Sequence, residues 1–173
     1  MKNTQVITFM GLLVSMEIML TRFFAIQTPI VRIGFGFIPI AVSAMLFGPV
    51  IGGITAMIAD IAGMMIFPKG VYFPGFTFSA LLTGVIFGLF LYRREKTIIR
   101  IAAAVLIITL AVDIVLNTVW LSMITGKGAL AILPPRLLKS LLMLPVQVFS
   151  IHMVWRYAGR FIESKYLLKN TGS

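Results

Sequence analysis

The chain has 173 residues, of which 60% are hydrophobic and only 12% charged, and it carries a formal net charge of +10. A soluble domain of this length needs a far more charged surface, so lipid has to be the solvent for much of the exterior. The basic residues sit at the ends of apolar runs rather than on one polar face, which excludes a nucleic-acid binder and fits contact with anionic lipid headgroups.

A membrane-crossing helix takes roughly 20 apolar residues. Several crossings with short connectors therefore use up residues 1–173 as a single integral membrane domain. The first helix is expected from about Thr4 to Phe24, retained because no small-residue cleavage pattern accompanies it. Gln27, Thr28, Pro29 and Arg32 then break the pattern. Gly34 to Phe67 is apolar but too long for one crossing, and Gly48-Pro49 followed by Gly52-Gly53 divides it into a short second helix and a third. Pro68 to Gly75, with two prolines and two glycines, predicts an aromatic-rich loop.

The fourth helix is expected over about Phe76 to Tyr92. Arg93, Arg94, Glu95, Lys96 and Arg100 form a solvated connector, and a fifth helix covers about Ile98 to Met123. Thr125 to Leu133 reads as a loop. Pro134-Pro135 suits the first turn of a sixth helix, where missing N–H groups do no harm. That helix runs to about Tyr157, and a basic tail follows. Six transmembrane helices, an all-α membrane class, place both termini on one side. Lys2, the Arg93–Arg100 cluster, Arg156, Arg160, Lys165 and Lys169 mark that side as cytoplasmic. Arg22, Arg32, Lys69, Lys127, Arg136 and Lys139 fall on the other side, an unusually basic set for an outer face.

Ionisable residues inside spans point to function. Asp113, Asn117 and Trp120 share one face of the fifth helix, and Arg136, Lys139, Ser140, Met143 and Gln147 share a stripe of the sixth. Arg32 and the Tyr72-Phe73-Pro74-Gly75-Phe76 loop converge with them at the outer end. Aromatic walls, an acceptor, an amide edge and guanidinium groups that grip carboxylates suit a flat heteroaromatic ligand with an anionic end. Structural alternatives stand beside each signal. Arg136 and Lys139 also fit snorkelling to headgroups, Asp113 also fits an internal partner of a basic residue, and Trp120 also fits an interfacial belt. Asp60 and Glu17 read as structural pairs between helices, and His152, the single histidine, as an interfacial residue rather than a metal ligand. Gly11 and Ser15 on the first helix, and Gly53, Ala56, Ala59 and Gly63 on the third, form small-residue stripes that permit close helix approach.

The segments Arg32-Ile33-Gly34-Phe35-Gly36-Phe37-Ile38-Pro39, Phe67 to Thr77, Leu116 to Ser122 and Leu133-Pro134-Pro135-Arg136-Leu137-Leu138-Lys139 resemble the folate-specific S components of energy-coupling-factor vitamin importers. The resemblance covers about Arg32 to Gln147. It implies a six-helix S-component bundle in a bacterial plasma membrane, both termini cytoplasmic, that captures folate from outside beneath loops one and three. It also implies a membrane-embedded coupling subunit and two cytoplasmic ATPases as partners, with toppling in the membrane to deliver the vitamin. Gly11 and Ser15 are carried over as the docking face, where the family's usual pattern is alanine, three residues, alanine. Under this reading Asp113 and Asn117 read the pterin edge, Phe73, Gly75, Phe76 and Trp120 line the rings, and Arg32, Arg136 and Lys139 meet the carboxylates or the pterin oxygen. No cofactor or metal is expected. The rivals are another vitamin such as riboflavin, and a membrane enzyme or assembly subunit without a vitamin ligand. An enzyme would need a nucleophile–base pair or clustered carboxylates, which five scattered acidic residues do not offer. No phosphate-binding glycine loop is present, so energy must come from partners.

Overall fold

The computed structural model describes residues 3–27, 32–68 and 71–159, with the side chains of residues 3, 5, 27, 32, 158 and 159 left outside that description. Lys2, Thr28, Pro29, Lys69, Arg160, Lys165, Lys169 and the side chain of Arg32, invoked above, lie outside the described residues.

Among the described residues the chain folds into six helices: α1 (Asn3–Arg22), α2 (Phe37–Phe47), α3 (Pro49–Ile66), α4 (Pro74–Leu91), α5 (Ile98–Thr125) and α6 (Ala129–Tyr157). Between α1 and α2, β1 (Ile26–Gln27) pairs antiparallel with β2 (Arg32–Ile33), Ile26 opposite Ile33 and Gln27 opposite Arg32. The helices α3 to α6 are long and apolar enough to cross a bilayer. At 1.5 Å per residue α1 reaches about 30 Å, whereas α2 reaches only about 17 Å and covers about half of the hydrocarbon thickness. Lipid-facing chemistry is plain on three helices: Met65 of α3, Ile99 of α5 and Leu130 of α6 are 78%, 81% and 85% exposed. Water would not tolerate so broad an apolar exterior.

The core sits where α2, α4 and α5 meet, around Met45, Phe87, Leu91, Ile101 and Val105, with Ile151 and Trp155 of α6 closing it. The small-residue stripe of α3 turns inward as expected, since Gly53, Ala56, Ala59 and Gly63 are all buried. A Cβ added to Gly84 of α4 would stand 2.7 Å from the Gly53 nitrogen, so the two backbones touch with no room for a side chain. The Ser43 hydroxyl donates to the Thr55 hydroxyl at 3.0 Å, and Thr55 donates to the Ile51 carbonyl at 2.8 Å, fixing α2 on α3. The Gly48 turn packs on the Tyr92 ring at the end of α4. Lys96, in the α4–α5 connector, lies 4.4 Å from the Trp155 ring centroid. The α2–α3 turn, the basic connector and the end of α6 thus occupy one end of the bundle.

Three expectations change in detail. Pro74 opens α4, two residues before the expected Phe76, because proline suits the first helical position. The sixth helix begins at Ala129, so Pro134 and Pro135 lie inside it rather than in its first turn, and Pro145 lies inside it as well. The carbonyls of Leu130 and Ala131, which those prolines leave without intrahelical donors, sit on exposed residues near the start of the helix. The fifth helix ends at Thr125, capped by left-handed Gly126, and is π-helical from Ile108 to Leu116.

Gly84→Val is expected to force α3 and α4 apart and to destabilise the bundle by about 1–3 kcal/mol, read as a lower thermal midpoint in detergent.

Candidate functional site

Asp113 lies in the π-helical stretch of α5, and Asn117 opens the α-helical turns that follow. Asn117 Nδ2 donates to Asp113 Oδ1 at 3.2 Å, Lys139 Nζ of α6 stands 3.6 Å from Asp113 Oδ2, and Arg136 Nη2 donates to the Asp113 backbone carbonyl at 2.6 Å. Both carboxylate oxygens and the carbonyl of one residue are therefore engaged by three side chains. A carboxylate on an apolar membrane helix needs such neutralisation, and the cationic pair needs the carboxylate in return. Lys139 and Asp113 are 16% and 24% exposed at their side chains, so neither snorkels freely to the headgroups. On the same stripe of α6, Ser140 and Met143 are buried and Gln147 is half-buried.

Asn117 has a second consequence. A carboxylate can only accept, so the amide must turn its nitrogen toward Asp113. Its oxygen, Oδ1, then points away; it is buried and has no hydrogen-bond partner among the described residues. A buried acceptor left open costs free energy unless something fills it.

The aromatic group forms on the next turn. Phe73 is the extended residue immediately before α4. Its ring lies 5.7 Å from Trp120 at 45° and 6.3 Å from Phe76 at 75°. Trp120 Nε1 donates to Ser79 Oγ of α4 at 3.2 Å, so the indole is held against a neighbouring helix. Gly75 makes that contact possible: a Cβ there would stand 2.6 Å from Phe73 Cε1 and 2.6 Å from Trp120 Cδ2.

The sequence stripes thus resolve into two adjoining clusters. Asp113, Asn117, Arg136 and Lys139 join α5 to α6, and Phe73, Gly75, Phe76 and Trp120 join α5 to α4, with two residues of α5 between Asn117 and Trp120. Arg32 contributes its backbone to the β1–β2 ladder, and its side chain is outside the described residues. Gly11 and Ser15 lie on an exposed face of α1, remote in sequence from both clusters; a Cβ on Gly11 would meet nothing within 4 Å. Sequence reasoning passed over Ser79, although it stands one turn beyond Gly75 on the same face. It also passed over Thr118, whose buried hydroxyl oxygen has no partner among the described residues. No sequence signal separates Thr118 from the many helical threonines that bond their own backbone.

A family model described as ECF transporter, substrate-specific component, matches residues 5–155. A protein named Folate transporter FolT from Clostridium novyi (strain NT) is 46% identical over 160 residues, covering 92% of this chain and 93% of the relative. Another Folate transporter FolT, from Leuconostoc mesenteroides subsp. mesenteroides, is 30% identical over 152 residues, covering 84% of this chain and 82% of its own length. Among solved structures, the crystal structure of FolT bound with folic acid superposes with a TM-score of 0.81 at 41% identity, covering 85% of this chain and 89% of that one.

Removing the lysine of the ion pair isolates the electrostatic constraint. Lys139→Met is expected to destabilise the detergent-solubilised protein by about 1–2 kcal/mol, less than a fully buried pair would show because both groups retain some exposure. Adding Asp113→Asn to it should recover part of that loss, a non-additivity measured by a double-mutant cycle in chemical denaturation.

Proposed function

The chain belongs to the ECF transporter substrate-specific components, and on that premise we propose that it is the folate-binding subunit of such an importer. The observation that carries the ligand assignment is the open Asn117 acceptor, set between a cationic pair and an aromatic wall. Folate offers matching parts: a flat pterin with N–H donors and a carbonyl oxygen, a benzoyl linker, and a glutamate with two carboxylates.

The polar residues divide by distance. Asp113, Asn117, Arg136 and Lys139 form one cluster closed by contacts of 2.6–3.6 Å, too small to meet both ends of so long a molecule. Beside the Phe73–Trp120 pair, that cluster suits the pterin end. Asn117 Oδ1 accepts from a pterin N–H, and Arg136 or Lys139 donates to the pterin oxygen while Asp113 keeps both cations in place. Phe73, Phe76 and Trp120 stack on the ring system, and Gly75 lets them close. Arg32, on the connector at the mouth, takes the glutamate carboxylates. A net positive site opposes a cationic vitamin such as thiamine, and nothing in the geometry favours riboflavin.

Association with an ECF module follows from the family. In our reading the partners are a membrane-embedded coupling subunit and two cytoplasmic ATPases, and the docking face is the exposed small-residue step at Gly11 and Ser15 of α1. Residues 1–173 act as one membrane domain in a bacterial plasma membrane, with both termini inside. The basic end formed by Arg93, Arg94, Arg100 and Arg156 supports that orientation.

Equilibrium binding by quenching of tryptophan fluorescence tests the ligand assignment. Folate should bind in preference to riboflavin and thiamine. Asn117→Ala should weaken folate and pteroate alike, by roughly ten- to hundredfold, as expected for a buried hydrogen bond left unmade; an unchanged affinity removes Asn117 from the site. Gly11→Phe should abolish co-purification with the energising module and leave folate affinity intact, since the added ring enters open space.

A further inference from the structure

At the end of the bundle formed by the α2–α3 turn, the α4–α5 connector and the end of α6, the basic residues fall into two groups. Arg93 lies 5.2 Å from the centroid of the Tyr92 ring, and Tyr92 packs on the Gly48 turn, so this cation belongs to the α2–α3 side. Lys96 turns the other way. Its Nζ lies 4.4 Å from the centroid of the Trp155 ring on α6, a ring only 6% exposed. A cation over a desolvated indole face is held there by the ring quadrupole.

Lys96 thus brings the connector onto the seam between α5 and α6. Ile101 of α5 and Trp155 of α6 belong to one buried cluster. Arg100 stands immediately before Ile101 and Arg156 immediately after Trp155, and both are exposed. Two guanidinium groups therefore leave adjoining helices at the level of the Lys96–Trp155 contact. Among the described residues neither has an ion-pair partner, and Glu95, exposed on the connector, is the one acidic residue at this end. Three cations gathered at one seam repel one another, and an anion shared between them removes that cost.

The surroundings say which anion. Beside the cations the same two helices expose Ile98, Ile99, Met153 and Tyr157. Free phosphate gains nothing from that apolar border, whereas a phospholipid brings a phosphate and acyl chains in one molecule. Guanidinium forks grip phosphate oxygens bidentately, and basic pockets between membrane helices suit anionic headgroups. Because α1 packs on α2 and α3, a protein docked on the exposed face of α1 leaves the α5–α6 seam to lipid.

We propose that Lys96, Arg100 and Arg156 form a binding site for the headgroup of an anionic phospholipid at the seam of α5 and α6, with its acyl chains lying on Ile99 and Met153. The headgroup must be negative overall. A zwitterionic one carries its own cation and leaves the three side chains partly unneutralised. The site is independent of the ligand assignment at the other end of the bundle.

Quenching by brominated lipid in vesicles of mixed composition tests it on the full-length protein. The chain has two tryptophans, so Trp120→Phe leaves Trp155 as the single reporter. Brominated phosphatidylglycerol should quench Trp155 more than brominated phosphatidylcholine at equal mole fraction, with a relative binding constant of about five. Arg100→Gln with Arg156→Gln should remove that preference, and Arg100→Lys with Arg156→Lys should keep most of it. Arg93→Gln with Arg94→Gln takes away as much charge outside the trio and should leave it unchanged. Equal quenching by the two lipids in the parent protein overturns the site. So does an equal loss in the Arg93 and Arg94 variant, which marks diffuse attraction by net charge. If the glutamine pair at 100 and 156 keeps the lipid preference but loses co-purification with the energising module, the surface serves an acidic protein and the proposal falls. Should Trp120→Phe fail to fold, native mass spectrometry of the wild type released from the same vesicles reads the preference, and phosphatidylcholine retained as often as phosphatidylglycerol overturns it there.

Discussion

The placement of Asp113 governs the half of this bundle that lies away from the basic α4–α5 connector. A carboxylate on a membrane helix must be neutralised where it stands, and here Lys139 and Asn117 take its two oxygens while Arg136 takes its backbone carbonyl. That demand sets the rotation of α6 against α5, because Arg136 and Lys139 must both face inward. It also orients the Asn117 amide, whose buried oxygen has no donor among the described residues. An open acceptor is thus a by-product of satisfying a charge.

The rest of the bundle divides into a closely packed part and a more lipid-exposed one, and the aromatic cluster lies at their junction. The glycine contact of α3 with α4 and the Ser43–Thr55 bond of α2 with α3 lock backbones at close range. In contrast, α6 presents Leu130, Leu138, Leu141, Leu142 and Phe149 to lipid and carries three internal prolines. Trp120 bridges the two parts: it belongs to α5, which α6 leans on, yet its indole is held by Ser79 and Phe73 of the α4 side. In the proposed site a flat ligand stacked at Trp120 would meet the closely packed α4 side through the ring and the α5–α6 side through Asn117, Arg136 and Lys139.

Local signals made much of this legible from sequence. Helix number, the Gly48-Pro49 division and the inward stripe of α3 depend on hydropathy, Gly and Pro, each read within a few residues. The i, i+4 pairing of Asp113 with Asn117 also survived, as a 3.2 Å bond, even though the helix there is π-wound. The π-winding itself has no sequence signature here, and it is where simple periodicity fails: Trp120 turns to α4 while Asp113 turns to α6. The early start of α6 was hidden because two adjacent prolines look like a helix beginning, and only their position at a solvated end lets them sit inside one. Asp60 and Glu17 were readable as paired groups, but not their partners: α3 and α4 had to be packed before the Thr77 hydroxyl came within 2.8 Å of Asp60.

The same charge economy bears on release. A site that relied on bare cations to attract an acidic vitamin would face a large desolvation penalty each time it emptied inside the membrane. Here both cations already have a partner on Asp113 when the ligand is absent, Lys139 at the carboxylate and Arg136 at the backbone carbonyl, so the empty cluster carries one net positive charge rather than two bare ones. In the proposed site, entry of a ligand would add hydrogen bonds to that cluster without having to break it, and departure would return the cluster to a state it can hold alone. Under that proposal affinity depends less on raw charge than on the open Asn117 acceptor and on the cover that Phe73 and Trp120 give the ring. A subunit that must bind tightly outside and let go inside needs that division, because aromatic cover can be withdrawn by moving a loop, whereas a buried charge cannot be withdrawn at all.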